Sequence, residues 1–140
     1  IVTYINKNHK IFVSNYIGYL KITELEGGDE ECDSEEDDEC YGLFSNYPPG
    51  TIVLKENYLL ENGIPVKPLS VTLMVKHKPG YDPTRGDWQY VQFDTEGVVA
   101  VNGHSKSPNV EKLCAECHQN MVDRDYIFSS FYRQEQQTMK

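Results

Sequence analysis

The sequence predicts an α+β fold rich in β-structure: an antiparallel sheet with a few helices. Three observations predict it. The middle of the chain holds β-branched and apolar runs separated by turn dipeptides at the spacing of a sheet meander. From Asn109 onward the pattern changes to helix-like. With 140 residues, 39% hydrophobic content, ten Tyr, five Phe and one Trp, the chain can bury a core and is too aromatic for disorder. We read 1–140 as a single domain.

The elements follow in order. Residues 1–5 and 11–25 are apolar or amphipathic runs. The second is rich in Tyr, Ile, Val and Phe, and its mixed period leaves strand and helix both open. Gly27-Gly28 ends it, and Tyr47-Pro48-Pro49-Gly50 is a turn signal. Residues 51–55 are a β-rich pentamer, and Asn62-Gly63 is a strong hairpin dipeptide. Residues 69–76 alternate as a strand does, and 78–86, with two prolines and two glycines, read as a loop. Residues 88–93 and 98–101 are two further strands, the latter entered through Glu96-Gly97. Asn109 can cap a helix over 110–117, a helix-like or irregular stretch covers 121–131, and a flexible polar tail, 133–140, closes the chain.

The formal charge is −9, from 13 basic and 22 acidic residues. Nine of the acids lie between Asp29 and Glu39, so the remainder of the chain is neutral. No clustered basic footprint exists for nucleic acid or for an anionic membrane surface. No apolar stretch approaches the roughly 20 residues of a membrane span. The acidic run lacks the Gly-punctuated spacing of a calcium loop, which leaves a solvated, self-repelling surface loop.

Chemistry concentrates in Cys114-Ala115-Glu116-Cys117-His118, a C-x-x-C-H sequence that reads as c-type haem attachment. Two thiols three positions apart on a helical turn reach the two vinyl groups of one porphyrin. The His that follows can turn its imidazole onto the iron. The alternatives are a redox dithiol, which wants a βαβ setting rather than a β-meander, and a zinc site. For zinc, His104 lies ten residues upstream and Cys32 and Cys40 lie far away. Cys32 and Cys40 have seven residues between them, a spacing that allows a disulfide closing the acidic loop (positions 29–40); two free thiols are the alternative. Haem attachment and a disulfide both indicate an oxidising compartment, periplasm or cell exterior. No signal peptide is visible, so the expectation is an exported chain whose signal has been removed.

These residues also carry a resemblance. Residues 50–56 (Gly-Thr-Ile-Val-Leu-Lys-Glu), Met74-Val75-Lys76, Gly80-Tyr81-Asp82-Pro83, Gly86-Asp87-Trp88, the C-x-x-C-H segment and Asp125-Tyr126-Ile127-Phe128-Ser129 match the cytochrome P-460 family in order and spacing. That family includes the cytochromes c′-β. The resemblance covers about 46–132; Asn15-Tyr16 is a weak match to an early Tyr-containing helix, and the acidic insert is not a family feature.

The resemblance implies one covalent haem c per chain, held against the sheet, with Cys114 and Cys117 attaching it and His118 as proximal ligand. Members range from hydroxylamine-oxidising enzymes to gas-binding or electron-carrying proteins. Lys55 stands where the enzymes carry a lysine bonded to the porphyrin edge. Thr72 stands where they place a distal carboxylate, and its hydroxyl cannot act as a base near pH 7. Strand alternation puts Met74 on the face of Thr72, which makes its sulfur a candidate sixth ligand or a core filler. His77 points to the opposite face, His104 lies in an exposed turn, and His9 sits in a polar segment. Trp88, Tyr81, Tyr90, Phe93 and Phe128 read as core or pocket lining.

The reading is an exported monohaem c-type cytochrome for electron transfer or for binding a small ligand of the nitric oxide type. One alternative is a hydroxylamine or nitric oxide oxidoreductase with Lys55 cross-linked. Another is a haem-bearing subunit of a homo-oligomer or larger assembly, in which the N-terminal segment pairs with a neighbour's sheet edge. A redox partner protein docking at the acidic loop is the expected partner; nucleic acid and a membrane span are not.

Overall fold

Asn62 and Gly63 both take positive φ, +52° and +78°. That is the turn whose twist matches two antiparallel strands, and it joins the long strands β2 (Ile52–Glu61) and β3 (Ile64–Lys76). The structure is a computed structural model that describes residues 2–24 and 44–128. It contains a five-stranded antiparallel sheet in the order β1-β2-β3-β4-β5, completed by β1 (Val2–Ile5), β4 (Trp88–Phe93) and β5 (Val99–Gly103). The α+β, β-rich class and the antiparallel meander are as the sequence predicts. The acidic run with Cys32 and Cys40, and the tail 133–140, lie outside the described residues.

β2 and β3 are longer than the apolar runs suggest. Pro65 and Pro68 obscure the start of β3, since proline cannot donate to a ladder. They are accommodated because β3 pairs with β4 only from Val71 onward and because the β2–β3 register slips at Asn57/Tyr58 and Leu59/Leu60. β1 pairs with β2 in the same chain, with Ile5 opposite Val53, so the N-terminal segment is used internally.

The ambiguous run at 11–25 is helical: α1 spans His9–Glu24. Phe12 and Asn15, three positions apart, are buried on one side of it. The fully buried Asn15 amide is satisfied at both ends by Ser45, donating to its carbonyl at 3.0 Å and accepting from its N–H at 2.8 Å. At the other end, a π-helical turn (Glu111–Ala115), an α-helical turn (Glu116–His118) and a 3-10 segment (Gln119–Arg124) follow one another, the last of them kinked at Met121 (φ −110°, ψ 29°). The loop at 78–86 contains a 3-10 turn, Pro83–Arg85. No helix among the described residues is long and apolar enough to cross a membrane.

Register decides what the sheet presents. Val53 pairs with Met74, Lys55 with Thr72, Met74 with Tyr90, and Lys76 with Trp88. All of these side chains therefore share one face. Val53, Met74, Trp88 and Tyr90 on that face are buried and form one cluster with Phe12 of α1, Val110 and Ala115 of the helical segment, and Tyr126 and Ile127 beyond it. Core and site share this face.

Candidate functional site

The helical segment that carries the C-x-x-C-H residues covers this face, and a cleft lies between the two. Lys55, Thr72, Met74, Tyr90, Cys114 and His118 line it, and its empty space, counting the mouth open to solvent, is about 410 Å³. These six residues, all singled out from the sequence, thus converge from β2, β3, β4 and the helical segment. Cys117 is exposed, one helical turn from Cys114, and both thiols are free. The rival histidines lie elsewhere. His77 pairs through Nε2 with Gln89 Oε1 at 2.7 Å and stacks on Tyr81, His104 is exposed, and His9 is exposed at the start of α1. Among the described residues no group of three or more His, Cys, Asp or Glu could hold a metal ion, so zinc has no ligand set there.

His118 is set for one role. Its Nδ1 lies 2.6 Å from the carbonyl oxygen of Tyr126. A carbonyl only accepts, so Nδ1 carries the proton and Nε2 keeps its lone pair. Burial, and then the nearby Lys55, push the imidazole down from 6.5 to about 4, while the Tyr126 bond opposes them. The ring is therefore neutral at pH 7. Tyr90 and Phe128 flank it, with ring centroids 5.6 Å and 4.9 Å away.

Lys55 is the other basic group of the cleft. Burial pushes its ammonium below the ordinary lysine range, and the neighbouring Cys117 pulls in the opposite direction. Its Nζ lies 5.2 Å from the Phe128 ring centroid. Burial also raises the Cys114 thiol, which keeps it protonated. Tyr90 Oη is buried with no hydrogen-bond partner among the described residues. No Asp or Glu is among the described residues that line the cleft.

This donor set fits a haem: two unpaired thiols one turn apart, a neutral imidazole with one nitrogen free, an apolar sheet face, and a buried hydroxyl still lacking a partner. Sequence reasoning missed the anchor behind His118. It is the carbonyl of Tyr126, next in the chain to Asp125, whose ion pair with Lys76 closes at 2.8 Å across 49 positions. One signal was available: Lys76 falls on the core-facing side of β3, where a charge needs a partner.

Fold and site together define a c-type haem protein with a β-rich scaffold. The family model described as Cytochrome P460 matches residues 36–129, more than half of the chain, and the chain belongs to that family. The match begins inside the acidic run, ten positions before the resemblance read from the sequence. No curated protein matches the chain.

Proposed function

We propose that the chain is an exported monohaem c-type cytochrome that carries electrons or binds a small ligand of the nitric oxide type. In this reading Cys114 and Cys117 hold the haem through thioethers and His118 Nε2 ligates the iron. When bound, the haem would supply a redox-active iron. The observation that carries the reading is the Nδ1–H bond from His118 to Tyr126, which leaves a neutral imidazole with a single free nitrogen in a cleft shared with Cys114. Met74 and Thr72 form the opposite wall in this reading. The Met74 sulfur is a soft donor, and a His/Met iron has a raised potential suited to electron transfer. Thr72 offers no base for N–H oxidation, and the lining contains no carboxylate among the described residues.

Optical spectra of the ferrous protein, with and without carbon monoxide, test this. A carrier gives a six-coordinate low-spin spectrum that carbon monoxide leaves unchanged; a ligand-binding protein gives a spectrum that it shifts. A spectrum without histidine ligation overturns the reading.

A second reading, a hydroxylamine or nitric oxide oxidoreductase, has Lys55 in its favour. Burial lowers the amine's affinity for a proton within the same cleft, and attachment to a porphyrin edge needs an unprotonated amine. An ordinary c-type haem spectrum from the denatured protein excludes the cross-link, and a red-shifted one supports it. The compartment in our reading is the periplasm or cell exterior. In this reading a basic redox partner docks at the acidic run, and a homo-oligomer or larger assembly can still use the outer side of β1, which is the edge strand and pairs with β2 on one side only.

A further inference from the structure

The hydrogen bond that anchors the His118 ring goes to a single backbone carbonyl, that of Tyr126. Tyr126 and the residue before it, Asp125, both take positive φ, +66° and +52°. Side chains rarely adopt that region, and two consecutive residues hold it only where surrounding contacts fix them. The contacts here are specific. The Asp125 carboxylate accepts from Lys76 Nζ at 2.8 Å and 2.9 Å and from the Tyr47 N–H at 2.8 Å. The Asp125 carbonyl accepts from Trp88 Nε1–H at 2.9 Å, and the Tyr126 N–H donates to the Met121 carbonyl at 2.7 Å. Lys76 Nζ in turn lies 5.1 Å from the Trp88 ring centroid. The side chains of Lys76 and Asp125 are only 11% and 4% exposed, so water is a poor substitute for either partner.

We propose that the buried Lys76–Asp125 ion pair is a positioning device for the proximal ligand: it clamps the Asp125–Tyr126 backbone to β3 and β4, and so sets how strongly the Tyr126 carbonyl draws on His118 Nδ1–H. The inference rests on His118 being the iron ligand. Lys76 and Asp125 touch neither the cleft nor the ligand ring; they act through one carbonyl. A firmly held acceptor gives the imidazole anionic character and strengthens its donation through Nε2. Without the clamp the strained pair relaxes and the carbonyl moves away.

The test is NMR of the His118 Nδ1–H proton in the diamagnetic ferrous holoprotein, using the carbon monoxide adduct if the iron is otherwise high-spin. Three variants are compared: Lys76→Met, Asp125→Asn and Lys76→Arg. Asp125→Asn is isosteric and keeps an acceptor for the Tyr47 N–H, so it reports even if Lys76→Met does not fold. The expected result is an upfield shift and at least about tenfold faster exchange of the proton in Lys76→Met and Asp125→Asn, with Lys76→Arg close to the parent. The first two variants change the local charge in opposite senses. A shift of the same sign in both therefore identifies lost hydrogen bonding, and shifts of opposite sign reduce the effect to electrostatics and overturn the clamp. An unchanged Nδ1–H in both folded variants also overturns it. A His118 ring without a haem ring-current shift in the parent protein overturns the ligand assignment itself, and this inference with it.

Discussion

His118 shows how one hydrogen bond fixes a residue's chemistry. An exposed histidine takes up a proton near pH 6.5, but here burial and Lys55 delay protonation until about pH 4. The sign follows from linkage. Between pH 6.5 and 4 the unfolded chain binds a proton that the folded chain does not, so this residue makes folding less favourable as the pH falls. The contribution reaches about 3 kcal/mol at the acid limit. If His118 ligates iron as proposed, the metal would compete with the proton for Nε2 and extend the neutral range further. An absorbance titration of the holoprotein should therefore keep its histidine-ligated spectrum from pH 7 to about 4.5; conversion centred near 6.5 would show an exposed, unanchored ring. At this scale the sequence is legible where chemistry is local. Cys114, Cys117 and His118 declare themselves because their spacing is the chemistry. Lys76 and Asp125 do not, because a pair separated by 49 positions becomes visible only once the fold brings them together.

At the scale of elements, the strands that read most clearly are those with alternation on a half-buried face. β4 has the limits its pattern gives, whereas β3 begins earlier, its first half obscured by Pro65 and Pro68. The period of α1 is mixed because its exposed side carries the apolar Ile17 and Leu20 while its buried side includes the polar Asn15. The turn after the 3-10 segment at 83–85 gives a sharper test. Gly86 takes φ +76°, and a Cβ there would stand 2.6 Å from the Tyr126 ring. Gly97 takes φ +80° with nothing within 4 Å. Gly86→Ala combines backbone strain with a clash against the residue that anchors His118, and should cost about 2–4 kcal/mol in urea unfolding. Gly97→Ala carries the strain alone and should cost about 1 kcal/mol. Equal losses for the two would mean that Tyr126 moves aside freely.

At the scale of the whole molecule, we expect the acidic run that carries the charge of −9 to take no part in the haem chemistry. The cleft is built from β2, β3, β4 and the helical segment, and its described lining includes no acid. Replacing the nine acids between Asp29 and Glu39 by Asn and Gln should leave the haem spectrum unchanged. It should also abolish the salt dependence of association with a basic redox partner, measured as rates across ionic strength. A large spectral change would place the run at the haem. The family was legible because the matching segments are those that build the sheet face and the ligand turn. The compartment and the partner were not legible, because they are set by molecules other than this chain.

The most direct test of the central claim is the intact mass of the denatured protein, produced by export in a host that matures c-type haem, together with alkylation of its thiols. The account predicts the chain mass plus one haem, with Cys114 and Cys117 both protected from alkylation. An unmodified chain mass, with both thiols alkylated, would contradict it.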